Sequence, residues 1–150
     1  MTFEELDGEE WIIPAQRAKN GQRHRVPLTA KMRAILQSTG RNSGYVFTVS
    51  GKHPINNLGR AATRLRKKMS AIADVSGLSL MEEWKPHDLR RTAASGMAKC
   101  GVFQEVIERV QNRISGKFAG VAGIYNRYDY EKEKRQALTK WSCEVADITK

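Results

Sequence analysis

Apolar positions change period along these 150 residues. Near the start, Trp11-Ile12-Ile13-Pro14 and Arg25-Val26-Pro27-Leu28 are short β-prone runs. The stretch joining them, from Ala15 to Arg23, is basic and carries Asn20-Gly21 as a turn signal, so an antiparallel hairpin is predicted. Thr29 suits the N-cap of a helix running through Leu36. Residues 38–44 are a loop, and Tyr45-Val46-Phe47 is a short apolar run of undetermined type. The pattern then turns helical. Ile55, Leu58, Ala62, Leu65, Met69 and Ile72 recur by threes and fours, which predicts one apolar helix face. Arg60, Arg64 and Lys67 fall on the opposite face, a stripe that suits solvent or a phosphate backbone.

Residues 74–85 are predicted as a linker with one tryptophan. Pro86 precedes a helix over 88–99 that Gly101 stops. Val102, Val106 and Val110 mark another short helix face, which Ser115-Gly116-Lys117 breaks. A helix over 121–127 follows. Asp129 is placed to cap a last helix with Leu138, Trp141, Val145 and Ile148 on its apolar face. No internal repeat or low-complexity tract is present. The expected fold is α+β, mainly α-helical, with a small antiparallel β-hairpin or sheet near the N-terminus, in one domain over 1–150.

Charge changes the picture more than composition does. The net charge of +10 selects polyanionic partners, nucleic acid first. It is uneven, because Glu4, Glu5, Asp7, Glu9 and Glu10 open the chain without a base among them. No run approaches the ~20 apolar residues of a membrane span, and no signal-peptide order is present. No helix joins a basic face to a bulky aromatic one, so no membrane partner is expected. The expected location is the cytoplasm, on the nucleoid when DNA is bound. Cys100 and Cys143 are far apart and lack histidines at ligand spacing, so free thiols and no metal site are expected.

Three places could carry chemistry. In Pro86-His87-Asp88-Leu89-Arg90-Arg91-Thr92, His87 and Arg90 share one side of a helix start, where free N–H groups favour an anion. Arginine's planar fork grips two phosphate oxygens. A histidine near a cap beside a surface arginine is the plainer reading. Tyr125, Tyr128 and Tyr130 lie among basic residues. Cations favour the phenolate and so a nucleophile, although aromatic packing gives the same pattern. Lys19, in the hairpin turn, can reach a bound phosphate and give up a proton, or be plain surface.

Taken in order, these places resemble the phage integrases of the tyrosine recombinase family. Trp11-Ile12-Ile13-Pro14, Lys19-Asn20 and His24-Arg25-Val26-Pro27-Leu28 look like the family's hairpin, and Tyr45-Val46-Phe47 like its next segment. Pro86-His87-Asp88-Leu89-Arg90-Arg91-Thr92-Ala93 resembles its His-x-x-Arg box. Val106-Ile107-Glu108-Arg109-Val110 followed by Tyr125-Asn126-Arg127-Tyr128-Asp129-Tyr130 resembles the tyrosine box of the satellite-phage P4 type, and Trp141 matches a tryptophan near that type's end. The resemblance implies integration or site-specific recombination of double-stranded DNA through a 3′-phosphotyrosyl intermediate, without metal or nucleotide. It implies Tyr125 as nucleophile, Arg90 on the non-bridging oxygens, His87 in proton transfer or hydrogen bonding, and Lys19 as general acid. Tyr128 and Tyr130 are the rival nucleophiles. Arg113, Arg60, Arg64, Lys67 and Arg91 are the expected DNA contacts, and other integrase protomers are expected partners on DNA.

Two departures bear on activity. The family's Thr-Gly-x-Arg segment precedes the hairpin, and this chain begins after that place. Gln111-Asn112-Arg113 stands where the family has a triplet ending in histidine, and arginine cannot trade a proton near neutral pH. The expectation is a catalytic-domain fragment with weak or no recombination by itself. The alternatives are a decayed prophage integrase that only binds DNA and a basic RNA-binding protein. The latter accounts for the charge but not for the ordered motifs, and no clustered aromatic stacking pattern supports it.

Overall fold

The computed structural model describes residues 1–56, 58–79, 82–113 and 128–149. The expected break at Ser115-Gly116-Lys117, the expected helix over 121–127 and Tyr125 lie outside them. The described elements are β1 (Leu6–Asp7), β2 (Glu10–Ile13), β3 (His24–Pro27), α1 (Ala30–Ser38), α2 (Leu58–Ser76), α3 (Pro86–Lys99), α4 (Gln104–Val110) and α5 (Glu131–Ile148). The mainly helical α+β expectation holds. Among the described residues no helix is long and apolar enough to cross a membrane.

The sheet is antiparallel with order β1-β2-β3 and pairs Trp11 with Val26 and Ile13 with His24. Each predicted strand begins and ends one residue earlier than expected. β1 was not expected, because its acidic neighbours hide two residues that pair with Trp11 and Glu10. The β2–β3 connection is longer than a tight hairpin turn. Ala15–Arg17 form a 3-10 turn, and Gly21, at φ +67°, donates its N–H to the Ala18 carbonyl. The opening carboxylates turn out to be the sheet's cross-links. Glu5 pairs with Arg17, Glu9 with Arg33 and Arg135, and Glu10 with Arg25 and Arg135.

Two apolar clusters hold the described fold. Leu28, Leu36 and Val46 pack with Phe3, Leu6, Trp11 and Met32, joining sheet, α1 and the 45–47 run. That run makes a single bridge, Tyr45 to Thr2, and then bends, burying Val46 while leaving Phe47 half exposed. Thr29 caps α1 as expected, its Oγ1 accepting the Met32 N–H at 3.3 Å. The second cluster is Met97, Val106, Ile107 and Ala137, with Ala94, Val102, Val110, Tyr130 and Trp141 around it. It joins α3, α4 and α5. Trp141 lies so close over Gly96 of α3 that a Cβ there would overlap its ring. Gly96 therefore sets the approach of α3 and α5.

Three expectations need correction. The helix after Gly44 begins at Leu58, so Ile55 precedes it, and it runs to Ser76, shortening the linker. Its apolar face is not buried, since only Ala62 is, while Leu58, Leu65 and Ile72 stay exposed. α3 starts at Pro86, whose missing N–H costs nothing in a first turn. Asp129 is not the N-cap of α5. That place is taken by Tyr130 in the left-handed region (φ 56°), and Asp129 accepts the Glu131 N–H from one residue further out, at 3.1 Å.

Candidate active site

Three chain segments converge where α4 ends. Glu108 accepts the Arg113 N–H at 2.9 Å, and Arg109 accepts the Asn112 N–H at 3.1 Å. These bonds close the helix with Asn112 at φ 51°, a conformation that asparagine tolerates better than most residues. α3 meets this corner through Arg90. Its guanidinium donates to the Gln111 carbonyl, and the Gln111 Nε2 returns a bond to the Arg90 carbonyl at 2.8 Å. The sheet meets it once, and the β2–β3 connection once. The His24 ring sits 3.3 Å from the Val110 carbonyl through Nε2, and the Asn20 Nδ2 donates to the Asn112 Oδ1 at 2.9 Å.

Lys19, Arg90 and Arg113 are thereby carried on three segments that meet at one corner, all with exposed side chains. Arg90 has five N–H donors, so binding Gln111 leaves others for an anion. His87 lies one turn before Arg90 in α3 and is exposed. The start of that helix is set by Asp88, which accepts the Lys85 N–H at 2.9 Å. That bond, and the charge of Arg91 beside it, hold the Asp88 carboxyl below its ordinary range. Arg91 is itself paired with Asp88 at 3.4 Å.

His24 differs from the exposed cations around it. Burial pushes its pKa below 6.5, and the charges of Lys134 and Arg90 push the same way, against the pull of the Val110 carbonyl. Its ring is therefore a neutral donor to that carbonyl at pH 7. Lys134 is buried under the sheet, donating to the Arg25 carbonyl at 3.2 Å, and burial lowers its pKa too.

The two described rival tyrosines are tied to carboxylates. Tyr128 donates its hydroxyl to Glu133 at 3.1 Å, a bond that raises the phenol's pKa. Tyr130 donates to Glu105, with the Arg109 guanidinium 5.0 Å from its ring centre. The Glu133 bond thereby opposes the ionisation that Tyr128 would need as a nucleophile.

Arg60 and Arg64 line an open concavity of about 1050 Å³ between α2 and residues 49–56, with His53 and Thr63. Lys67 is exposed further along α2, whereas Arg66 turns inward to the Trp84 carbonyl and Glu83. Sequence reasoning missed His24, Asn20, Gln111 and Asn112 as builders of the corner. Their signal lay only in adjacency, since Asn20 follows Lys19 and Gln111-Asn112 precedes Arg113.

Comparison with known proteins bears directly on this arrangement. The chain is 28% identical over 155 residues to the prophage integrase IntA of Escherichia coli (strain K12), an alignment covering 99% of this chain and 33% of that protein. It thus spans about a third of that relative's length. No solved structure matches. The model of the phage integrase family matches residues 1–118, which hold the sheet, α1 to α4 and the corner that joins them, and the chain belongs to that family.

Proposed function

We propose that this chain is the catalytic domain, over 1–150, of a DNA strand-transferase acting in site-specific integration and recombination. The observation that carries the reading is the convergence of the Lys19 loop, the Arg90 helix and the Arg113 corner, tied by hydrogen bonds between their neighbours. Arg90 and Arg113 hold the non-bridging oxygens of one DNA phosphate, where fixed positive charge lowers the barrier most. The Tyr125 oxygen attacks phosphorus as its phenolic proton passes to His87. The bond from phosphorus to the 5′ oxygen breaks, and Lys19 supplies that oxygen's proton. The DNA stays joined to Tyr125 through its 3′ phosphate, and a 5′ hydroxyl of the partner strand reverses the step. The carboxylate bond of Tyr128 supports Tyr125 as nucleophile. Arg60, Arg64, Lys67 and Arg91 contact the flanking backbone. Other protomers complete the assembly on DNA.

A second reading, a domain that binds DNA without cutting it, is favoured by Arg113, which can grip a phosphate but cannot trade its proton. Incubation with a nicked duplex that traps the cleaved state separates the two. The recombinase reading expects a protein–DNA adduct that survives denaturation. Tyr125→Phe should abolish it, while Tyr128→Phe and Tyr130→Phe retain it. DNA binding with no adduct establishes the second reading, and an adduct persisting in Tyr125→Phe overturns the choice of nucleophile.

A further inference from the structure

We infer that Asn20 and Asn112 are positioning residues for Lys19, their side-chain hydrogen bond fixing the lysine-bearing loop against the Arg113 corner. The inference rests on the reading of Lys19 as general acid. The bond joins positions 92 residues apart, from the Asn20 Nδ2 to the Asn112 Oδ1 at 2.9 Å. Its two ends differ in firmness. Asn112 stands on the firm side, because α4 closes onto it and both α3 and β3 bind the residues just before it. Residues 19–23 are exposed throughout. Here the Asn20 Oδ1 accepts the Gln22 N–H at 3.2 Å, and Ala18 accepts the Gly21 N–H at 2.9 Å. One amide therefore both bends the loop and moors it.

Residue type at both ends fits this use. Asparagine supplies a donor and an acceptor on one short side chain, which Asn20 spends in two directions. At position 112 the backbone asks for positive φ, and asparagine meets that while offering its carbonyl oxygen to the loop. The mooring sets the distance between the acid on Lys19 and the oxygen-binding groups on Arg90 and Arg113. Without it the lysine samples many places from which no proton reaches the leaving oxygen, and the chemical step loses its prior alignment.

Asn112→Gly tests this cleanly, because glycine accepts the same φ and loses only the side chain. Amide hydrogen exchange in residues 18–22 should quicken in Asn112→Gly and stay slow in Asn112→Asp, which keeps the acceptor oxygen. Unchanged exchange in Asn112→Gly overturns the inference, and this measurement needs no cleavage. The second measurement compares adduct formation on ordinary DNA with that on DNA whose 5′ bridging oxygen is sulfur. A thiolate leaves without an acid, since thiols ionise near ~8.5. Asn112→Gly should form adduct roughly fivefold to tenfold more slowly on ordinary DNA and at the parent rate on sulfur DNA. Lys19→Ala should show the same rescue more strongly. If Lys19→Ala stays slow on sulfur DNA, the acid assignment falls. If Lys19→Ala is rescued while Asn112→Gly is equally slow on both substrates, or slow on neither, the positioning role falls and the acid assignment stands.

Discussion

The corner where α3, α4 and the sheet meet and the long helix α2 are built from similar sequence patterns but sit in opposite surroundings. α4 buries Val106 and Ile107 against Met97 and Ala137, and its last turn is bonded to both other elements. α2 carries a longer and more regular apolar series, yet Leu65 is 49% exposed and Ile72 65% exposed. Periodicity describes a face, and a neighbour must exist for that face to be buried. In α4 the neighbour is supplied within the described chain. In α2 only Ala62 is buried. The difference predicts where the fold is fragile and where it is tolerant.

The largest expected effect sits in the corner. Ile107 is 1% exposed, so Ile107→Ala removes buried methyl groups and leaves a cavity, costing about 2–5 kcal/mol. Leu65→Ala, on the exposed ridge of α2, should cost less than about 1 kcal/mol. Urea titration of the two variants measures the contrast. Equal losses would show that the α2 ridge is buried in solution and would erase the distinction between the regions.

How much of this was legible in the sequence follows the same division. Patterns that depend on near neighbours read well. Thr29 as a cap, Gly101 as a stop at φ +74°, and the pairing of the Trp11 and Val26 strands all follow from local chemistry. Patterns that depend on distant partners read poorly. The acidic opening shows in the sequence only as uneven charge, but its carboxylates answer arginines as far away as Arg135. Lys19, His87, Arg90 and Arg113 were singled out as candidates, while the asparagines and His24 that connect their segments were not. A hydrogen bond between residues 92 apart leaves no mark in spacing.

The next effect concerns the pH range over which the corner stays closed. Burial holds the folded pKa of His24 below its ordinary 6.5. As pH falls through 6.5, the unfolded chain takes up a proton before the folded one does. The His24 contribution is therefore complete above about 6.5 and is lost progressively as pH falls through the lower folded value. Protonation itself leaves the Val110 carbonyl bond possible, so burial of the charge beside Lys134 and Arg90 is the destabilising part. Denaturation midpoints at pH 8 and pH 5 should differ more in the parent than in His24→Gln, which cannot titrate. An unchanged difference would place the acid sensitivity elsewhere and make His24 a plain packing residue.

The smallest effect belongs to α2, and it gives that helix a use despite its thin packing. A helix that buries little of itself leaves most of its surface for a partner, and the concavity beside Arg60 and Arg64 is basic and open. Each phosphate neutralised by such a residue releases counterions, so log affinity falls with log salt by ~0.9 per contact. Arg64→Ala should weaken DNA binding severalfold at low salt, lower that slope by about one, and do so equally on any sequence. Arg90→Ala should instead act mainly on adduct formation, because the proposed mechanism places its charge where the bond breaks. Fluorescence titration of a labelled duplex at several salt concentrations reads the slope. An Arg64→Ala protein with the parent's slope would remove α2 from the DNA surface and leave the corner as the whole of the contact.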